Sequence, residues 1–193
     1  QLLLLRRPMH PPLLADPTMA GLCARHGPAS LSSRRAFPAL VDAIASQQIS
    51  GKAADAILGR LRIHVGITSR TLAIARLPKL RSVGLSRAKA QAIRELARFT
   101  QAGGLRGLSR LSDEAVVERL VQVRGIGPWT AEMFLMFSLG RPDVWPIGDG
   151  GVQRAAAHLY GARTRPALLK LGERFRPFRS HAAWYLWRSL EEL

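Results

Sequence analysis

Asp149 is the residue through which this chain could do chemistry. It closes Asp143-Val144-Trp145-Pro146-Ile147-Gly148-Asp149, a stretch stiffened by tryptophan and proline, and a helix follows from Gly150-Gly151-Val152. A lone ionised carboxylate in that place can stabilise positive charge developing on a substrate and can position or deprotonate water. It can also act as a plain N-cap, accepting backbone N–H bonds from the helix it precedes, and the two tasks are compatible. Upstream lies Leu120-Val121-Gln122-Val123-Arg124-Gly125-Ile126-Gly127-Pro128-Trp129-Thr130-Ala131. Two glycines around one apolar residue make a tight hairpin between helices, because glycine lets the backbone turn and lets a ligand approach closely. Pro128 suits the first position of the second helix, where its missing N–H costs nothing. The N–H groups exposed at that helix start can hold a phosphate. A phosphate grip followed by one placed carboxylate points to an enzyme that acts on DNA.

The charge agrees with that reading. There are 29 Lys and Arg against 13 Asp and Glu, a formal net charge of +16. Arginine predominates; the lysines are Lys52, Lys79, Lys89 and Lys170. Arginine's planar fork suits phosphate better than a point charge does. Such an excess implies a polyanionic partner, most simply nucleic acid; the plainer alternative is a basic soluble protein. At 193 residues and 47% hydrophobic, the chain can bury a core in one or two small lobes. The single cysteine, Cys23, excludes a disulfide framework and a four-cysteine metal site, and the five histidines have no metal-ligand spacing. The start, Gln1-Leu2-Leu3-Leu4-Leu5-Arg6-Arg7-Pro8, is apolar but too short for a membrane span or a signal peptide's apolar region. The expectation is a cytoplasmic, nucleoid-associated monomer with no membrane partner.

The elements that must position these residues read as helices. Phe37, Leu40, Val41 and Ile44 follow the i, i+3, i+4, i+7 spacing of a core-facing helix, and Ala53, Ile57, Leu58 and Leu61 continue it in a second. Ile93, Leu96 and Ala97 face one way in a third. Ser112 is a good N-cap, with Asp113 and Glu114 favourable in the turn after it and Val116, Val117, Leu120 and Val121 as the buried stripe. The segment from Pro128 to about Leu139 is nearly all apolar and should be central. Two further helices carry Val152, Ala155, Ala156 and Leu159, and Ala182, Ala183, Tyr185, Leu186 and Leu190. Pro- and Gly-rich breaks fall at 24–36, 64–70, 100–111, 140–149, 161–167 and 175–181. No stretch alternates apolar and polar residues long enough for a sheet, so the fold class is all-α.

Five blocks, in order along the chain, resemble the helix-hairpin-helix DNA glycosylase superfamily, and most of all its AlkA-like branch of 3-methyladenine DNA glycosylases. They are Phe37-Pro38-Ala39-Leu40-Val41 running to Ser46-Gln47-Gln48-Ile49-Ser50; Val83-Gly84-Leu85-Ser86-Arg87-Ala88-Lys89-Ala90; the hairpin Arg124 to Ala131; Asp143 to Asp149; and Arg176-Pro177-Phe178-Arg179-Ser180 with Ala183-Trp184-Tyr185-Leu186-Trp187. The resemblance covers residues from about 13 to 193. It implies one glycosylase unit over 1–193, with a two-lobed helical fold and the active site in the cleft between lobes. The lobes would be 37–145, containing the hairpin 120–131, and 13–36 plus 146–193. It implies a monofunctional enzyme that hydrolyses the N-glycosidic bond of alkylated purines, such as 3-methyladenine and 7-methylguanine, in double-stranded DNA.

The resemblance also implies residue roles. Asp149 matches the catalytic aspartate. In bifunctional relatives the position of Trp129 is a Schiff-base lysine that nicks the strand; tryptophan there implies base release with the strand left intact. The base pocket would be drawn from Trp129, Met133, Phe134, Gln47, Trp184 and Tyr185, aromatic faces that suit an electron-poor methylated base. Trp145 is a further aromatic candidate, while Trp187, at helical spacing from Ala183, reads as core. Gln48 would fill the stack vacated by the flipped base. Phosphate contacts would come from Gly125, Gly127, Pro128 and Thr130, flanked by Arg124, Arg154 and Lys89, each of these cations being equally at home on a solvated face. No cofactor is expected beyond a structural Na+ or K+ on the backbone carbonyls of Val121, Val123 and Ile126. One departure stands out: the family usually carries a larger apolar residue at Gly150, so Gly150-Gly151 should loosen the helix start. Two other readings stay open: a glycosylase of the same fold for deaminated or ring-altered purines, and a non-catalytic module that binds damaged DNA.

Overall fold

Most helices begin at a side-chain cap or at a proline in the first turn. A computed structural model of the chain describes residues 10–31 and 35–192; the apolar start at 1–8 lies outside them. The helices are α1 (Pro11–Leu14), α2 (Pro17–His26), α3 (Ala36–Ser46), α4 (Gly51–His64), α5 (Ser69–Ile74), α6 (Leu77–Ser82), α7 (Arg87–Gln101), α8 (Asp113–Leu120), α9 (Pro128–Phe137), α10 (Gly150–Tyr160), α11 (Arg165–Glu173) and α12 (Arg179–Ser189). No strand occurs among the described residues. Asp16, Ser50, Thr68, Ser86, Ser112, Asp149 and Thr164 each accept a backbone N–H of the helix they precede. Such a cap contributes about 1 kcal/mol. None of these helices is long and apolar enough to cross a membrane.

The chain divides into two compact units, one of residues 33–139 and one of residues 1–32 with 140–193. In the first, α3 packs on α4, α7 and α9, and α7 also meets α5 and α6. The apolar stripe of α3 is buried there as its spacing predicts, along with Leu58, Leu61, Ile93, Leu96, Val116 and Leu120. Full burial of each large aliphatic side chain contributes about 1.5–3 kcal/mol before the entropy of ordering is subtracted. In the second unit, α12 packs against α10 and α2. Its core holds Leu13, Met19, Leu22, Val152, Phe175 and Leu186. The buried carboxylate of Asp16 ties this unit together. It caps α2 through Met19 N at 2.9 Å, accepts the Tyr160 hydroxyl at 2.8 Å and pairs with Arg174. Burial and that carboxylate push the Tyr160 hydroxyl far above the usual tyrosine range.

Helices α1, α2, α5, α6 and α11 have no counterpart in the sequence reading. They are short or proline-led, and their stripes are too brief for periodicity to register. Five expected breaks are shorter than composition implies: α2 runs to His26, α4 to His64 and α7 to Gln101, while α5 begins at Ser69, α11 at Arg165 and α12 at Arg179. Proline accounts for the start of α11, where Pro166 sits in the first turn.

Candidate functional site

The segment before Asp149 is anchored by the start of α12. Ser180 accepts from Val144 N at 2.9 Å and donates to Arg141 O at 2.7 Å, while its own N–H reaches Pro142 O at 2.9 Å. Arg179 clamps Asp143, with Nε at 2.7 Å from one carboxylate oxygen and a second nitrogen at 2.9 Å from the backbone oxygen. Trp145 is buried, its indole N–H bonded to Leu168 O at 3.1 Å. Its ring lies where a Cβ on Gly172 would meet it at 2.8 Å. Trp145 is therefore core and lines no base pocket, a correction to its candidacy. So braced, the loop presents Asp149 at a defined point.

Asp149 is 8% exposed, and its Oδ1 accepts two N–H bonds: Val152 N at 2.8 Å and Trp187 Nε1 at 2.8 Å. The first is the expected N-cap. The second corrects the reading of Trp187 as core, since its indole holds the carboxylate. Gly151 makes this approach possible. A Cβ there would lie 2.8 Å from Trp187 Cδ1 and 3.0 Å from Asp149 Oδ1. No periodicity in the sequence links residues 151 and 187. α10 begins at Gly150, and the space a Cβ would take there is bounded by the Arg154 guanidinium at 3.4 Å.

Two other aromatic candidates lie on α12. Tyr185 is 2% exposed, and its hydroxyl donates to Gly27 O at 2.8 Å and accepts from Ala29 N at 3.1 Å. That is a structural tie to the segment after α2, so the pocket role expected of Tyr185 is corrected. Trp184 is half-buried, edge-on to Tyr185, with the Arg188 guanidinium 5.7 Å from its ring centroid.

In the other unit, α8, the turn 121–127 and α9 form the hairpin. Gly125 has φ +83°, and a Cβ there would meet the Ala92 Cβ of α7 at 2.7 Å. Glycine is required at 125 both for the turn and for packing. Gly127 is different: its φ of −91° is open to any residue, and nothing lies within 4 Å of a Cβ there. The turn does not need glycine at 127, which corrects that half of the hairpin argument. Val123 and Ile126 are buried, whereas Val121, Arg124, Gly125, Gly127 and Pro128 are exposed. Thr130 is 2% exposed, and Gln47 Nε2 reaches its hydroxyl at 3.5 Å and Gly125 O at 2.9 Å. Gln47 thus braces the end of α3 against the hairpin. Lys89 shares this task, donating to Ala45 O at 2.8 Å and Gln47 O at 2.6 Å. Burial lowers its pKa. Between these braces the chain turns at Gln48, which is exposed with φ +56°, a left-handed conformation unusual for a side chain of this kind.

Beside this turn is a cavity of about 300 Å³ between α3 and α9. Met133, Phe134 and Phe137 supply apolar walls, and Asp42, Ser46, Thr130 and Ser138 are its polar residues. Trp129, one step along α9 from Thr130, is 41% exposed, so it is not filler in the core.

Residues 41–178 match the HhH-GPD superfamily of base excision DNA repair proteins. The chain belongs to this superfamily. A relative, DNA-3-methyladenine glycosylase 1 of Schizosaccharomyces pombe, is 35% identical over 170 residues, which span 83% of this chain and 75% of that one. The solved structure of the S. pombe 3-methyladenine DNA glycosylase Mag1 in complex with abasic DNA aligns with a TM-score of 0.80 at 33% identity, covering 91% and 92% of the two chains. An 8-oxoguanine glycosylase/lyase of Clostridium acetobutylicum aligns with a TM-score of 0.82 at 18% identity. At that identity it shows the HhH-GPD fold alone. The backbone is thus common to enzymes of different names.

Proposed function

We propose that this HhH-GPD protein is a monofunctional glycosylase that flips alkylated purines out of duplex DNA and hydrolyses their N-glycosidic bond, leaving an abasic site. The observation that carries the reading is Asp149, a buried carboxylate at the start of α10 whose Oδ1 takes N–H bonds from Val152 and Trp187. Breaking the N-glycosidic bond puts positive charge on the deoxyribose, and a carboxylate fixed beside that sugar stabilises it and orients the attacking water. A base alkylated on a ring nitrogen is already cationic and leaves without being protonated first. The cavity lined by Met133, Phe134, Phe137 and Asp42 suits such a base, offering aromatic faces and a carboxylate. Exposed Trp129 serves as a further wall, and exposed Gln48 fills the gap in the stack.

With tryptophan at 129, no amine stands after the hairpin to form a Schiff base. Backbone N–H groups around Gly125 and Gly127 grip phosphate, and Arg124 and Arg154 serve as further phosphate contacts. The carbonyls of Val121, Val123 and Ile126 are hard, neutral oxygen donors of the kind that suit Na+ or K+, which would link hairpin and phosphate. The names of the S. pombe relatives support the choice of alkylated purines.

Single-turnover assays on methylated duplex test the reading. They should yield free 3-methyladenine and 7-methylguanine, alkali-labile sites without direct nicks, and no adduct trapped by borohydride. Asn caps a helix about as well as Asp. Asp149→Asn should therefore fold and bind DNA yet lose base release by a factor on the order of 10² to 10³. Near-parental release by that variant would reduce Asp149 to a cap.

A further inference from the structure

A second groove lies on the unit that carries Asp149, with a volume of about 480 Å³. Three cations line it: Arg154 on α10, Arg163 in the following turn and Arg165 at the start of α11. Ile147, Ala157 and Leu168 give it an apolar floor. The chain throws the arginines outward for a local reason. Gly161, at φ +66°, ends α10, buried Ala162 bonds back to Ala156 O at 3.2 Å, and Arg163 is left exposed beyond it.

These arginines differ from four others of the unit. Arg174 pairs with Asp16, Arg176 and Arg179 with Asp143 and Glu173, and Arg188 with Glu191. Among the described residues, no ion pair is formed by Arg154, Arg163 or Arg165. Like charges gathered in one groove repel, and the repulsion is relieved when an anion enters. Planar guanidinium forks match phosphate oxygens, and an apolar floor accepts the C–H face of a sugar. The groove also adjoins the catalytic end of α10. Ile147 lies two residues before Asp149, and the Arg154 guanidinium approaches to 3.4 Å of where a Cβ on Gly150 would be.

We propose that this groove binds the phosphodiester backbone of the strand flanking the nucleotide at Asp149, with Arg163 and Arg165 as phosphate contacts additional to the hairpin. The proposal rests on the reading that DNA engages the Asp149 end of α10. It requires no chemistry at the groove, only charge neutralisation.

The test uses the full chain with Arg163→Gln and Arg165→Gln combined. Both side chains are exposed and without ion-pair partners, so the variant should melt as the parent does. On duplex carrying an abasic site, the slope of log K against log salt should become shallower by about 1.8, two phosphates at roughly 0.9 each. Affinity at 0.1 M salt should fall roughly tenfold or more. Base release at saturating protein should be unchanged. Neutralising single phosphates as methylphosphonates should identify one or two flanking positions whose loss weakens the parent but not the variant. A parental slope, or a scan in which parent and variant respond alike everywhere, overturns the proposal. So does an unchanged DNA affinity accompanied by lost binding of an acidic peptide, which would assign the groove to a protein partner. A parent protein that releases no base while the slopes still differ would overturn the glycosylase reading and leave the groove standing.

Discussion

At the scale of single residues, the site depends on one hydrogen bond that crosses the second unit. Trp187 donates its indole N–H to Asp149 Oδ1, and Gly151 leaves the room for it. A hydrogen bond to a charged group is worth about 1.5–3 kcal/mol, so losing it from the reacting geometry should slow base release by about 10- to 100-fold. Trp187→Phe keeps the aromatic volume and removes the donor. Its single-turnover release should fall by that factor while melting temperature and affinity for abasic DNA stay near the parent's. Gly151→Ala should give the same kinetic result by displacing the indole, although alanine favours a helix by up to about 1 kcal/mol over glycine. If either variant loses release only in proportion to lost folded protein, Trp187 is a packing residue and no more.

At the scale of elements, the hairpin divides its labour between two glycines. Gly125 serves the fold, through φ +83° and its contact with Ala92 of α7. Gly127 has an ordinary extended φ and open space around it. Gly125→Ala should therefore destabilise the protein by about 2–4 kcal/mol, from left-handed strain and the clash with Ala92 together. Gly127→Val should melt normally yet bind damaged and undamaged duplex more weakly, because the branched side chain occupies the path of the phosphate. Thermal melts and fluorescence anisotropy on both variants check the pair. Full DNA affinity in a folded Gly127→Val protein would mean the hairpin does not hold DNA. The neighbouring turn follows the same logic: Lys89 and Gln47 brace the end of α3, and Gln48 projects from strained backbone between them.

At the scale of the whole molecule, a net charge of +16 sets how the protein meets its partner. Counterion release makes affinity for undamaged duplex a steep function of salt. A protein neutralising about six phosphates should lose roughly 10³ in affinity between 50 and 200 mM salt. Release from pre-bound damaged DNA, which depends on Asp149 rather than on the surface, should change little over that range. A flat salt dependence of binding would show that the basic surface is solvation and not recognition.

The sequence by itself determined the all-helical class, because the stripe of α3 and the apolar run of α9 follow helical spacing and local periodicity dictates local structure. It also determined the hairpin and the cap at Asp149, whose signals are contained within a few adjacent residues. What it could not contain was contact between distant positions. Tyr185 reads as an aromatic candidate but is tied to Gly27 and Ala29; Trp187 reads as core but holds Asp149. Gly127 reads as a turn glycine, yet the positive φ falls at Gly125. Arg154 reads as a flanking phosphate contact, and only the path of the chain around Gly161 brings Arg163 and Arg165 to one groove with it. Residue type and spacing settle which chemistry a chain can carry. Which side chain faces which is settled by long-range packing, and that exists only once the helices are placed against one another.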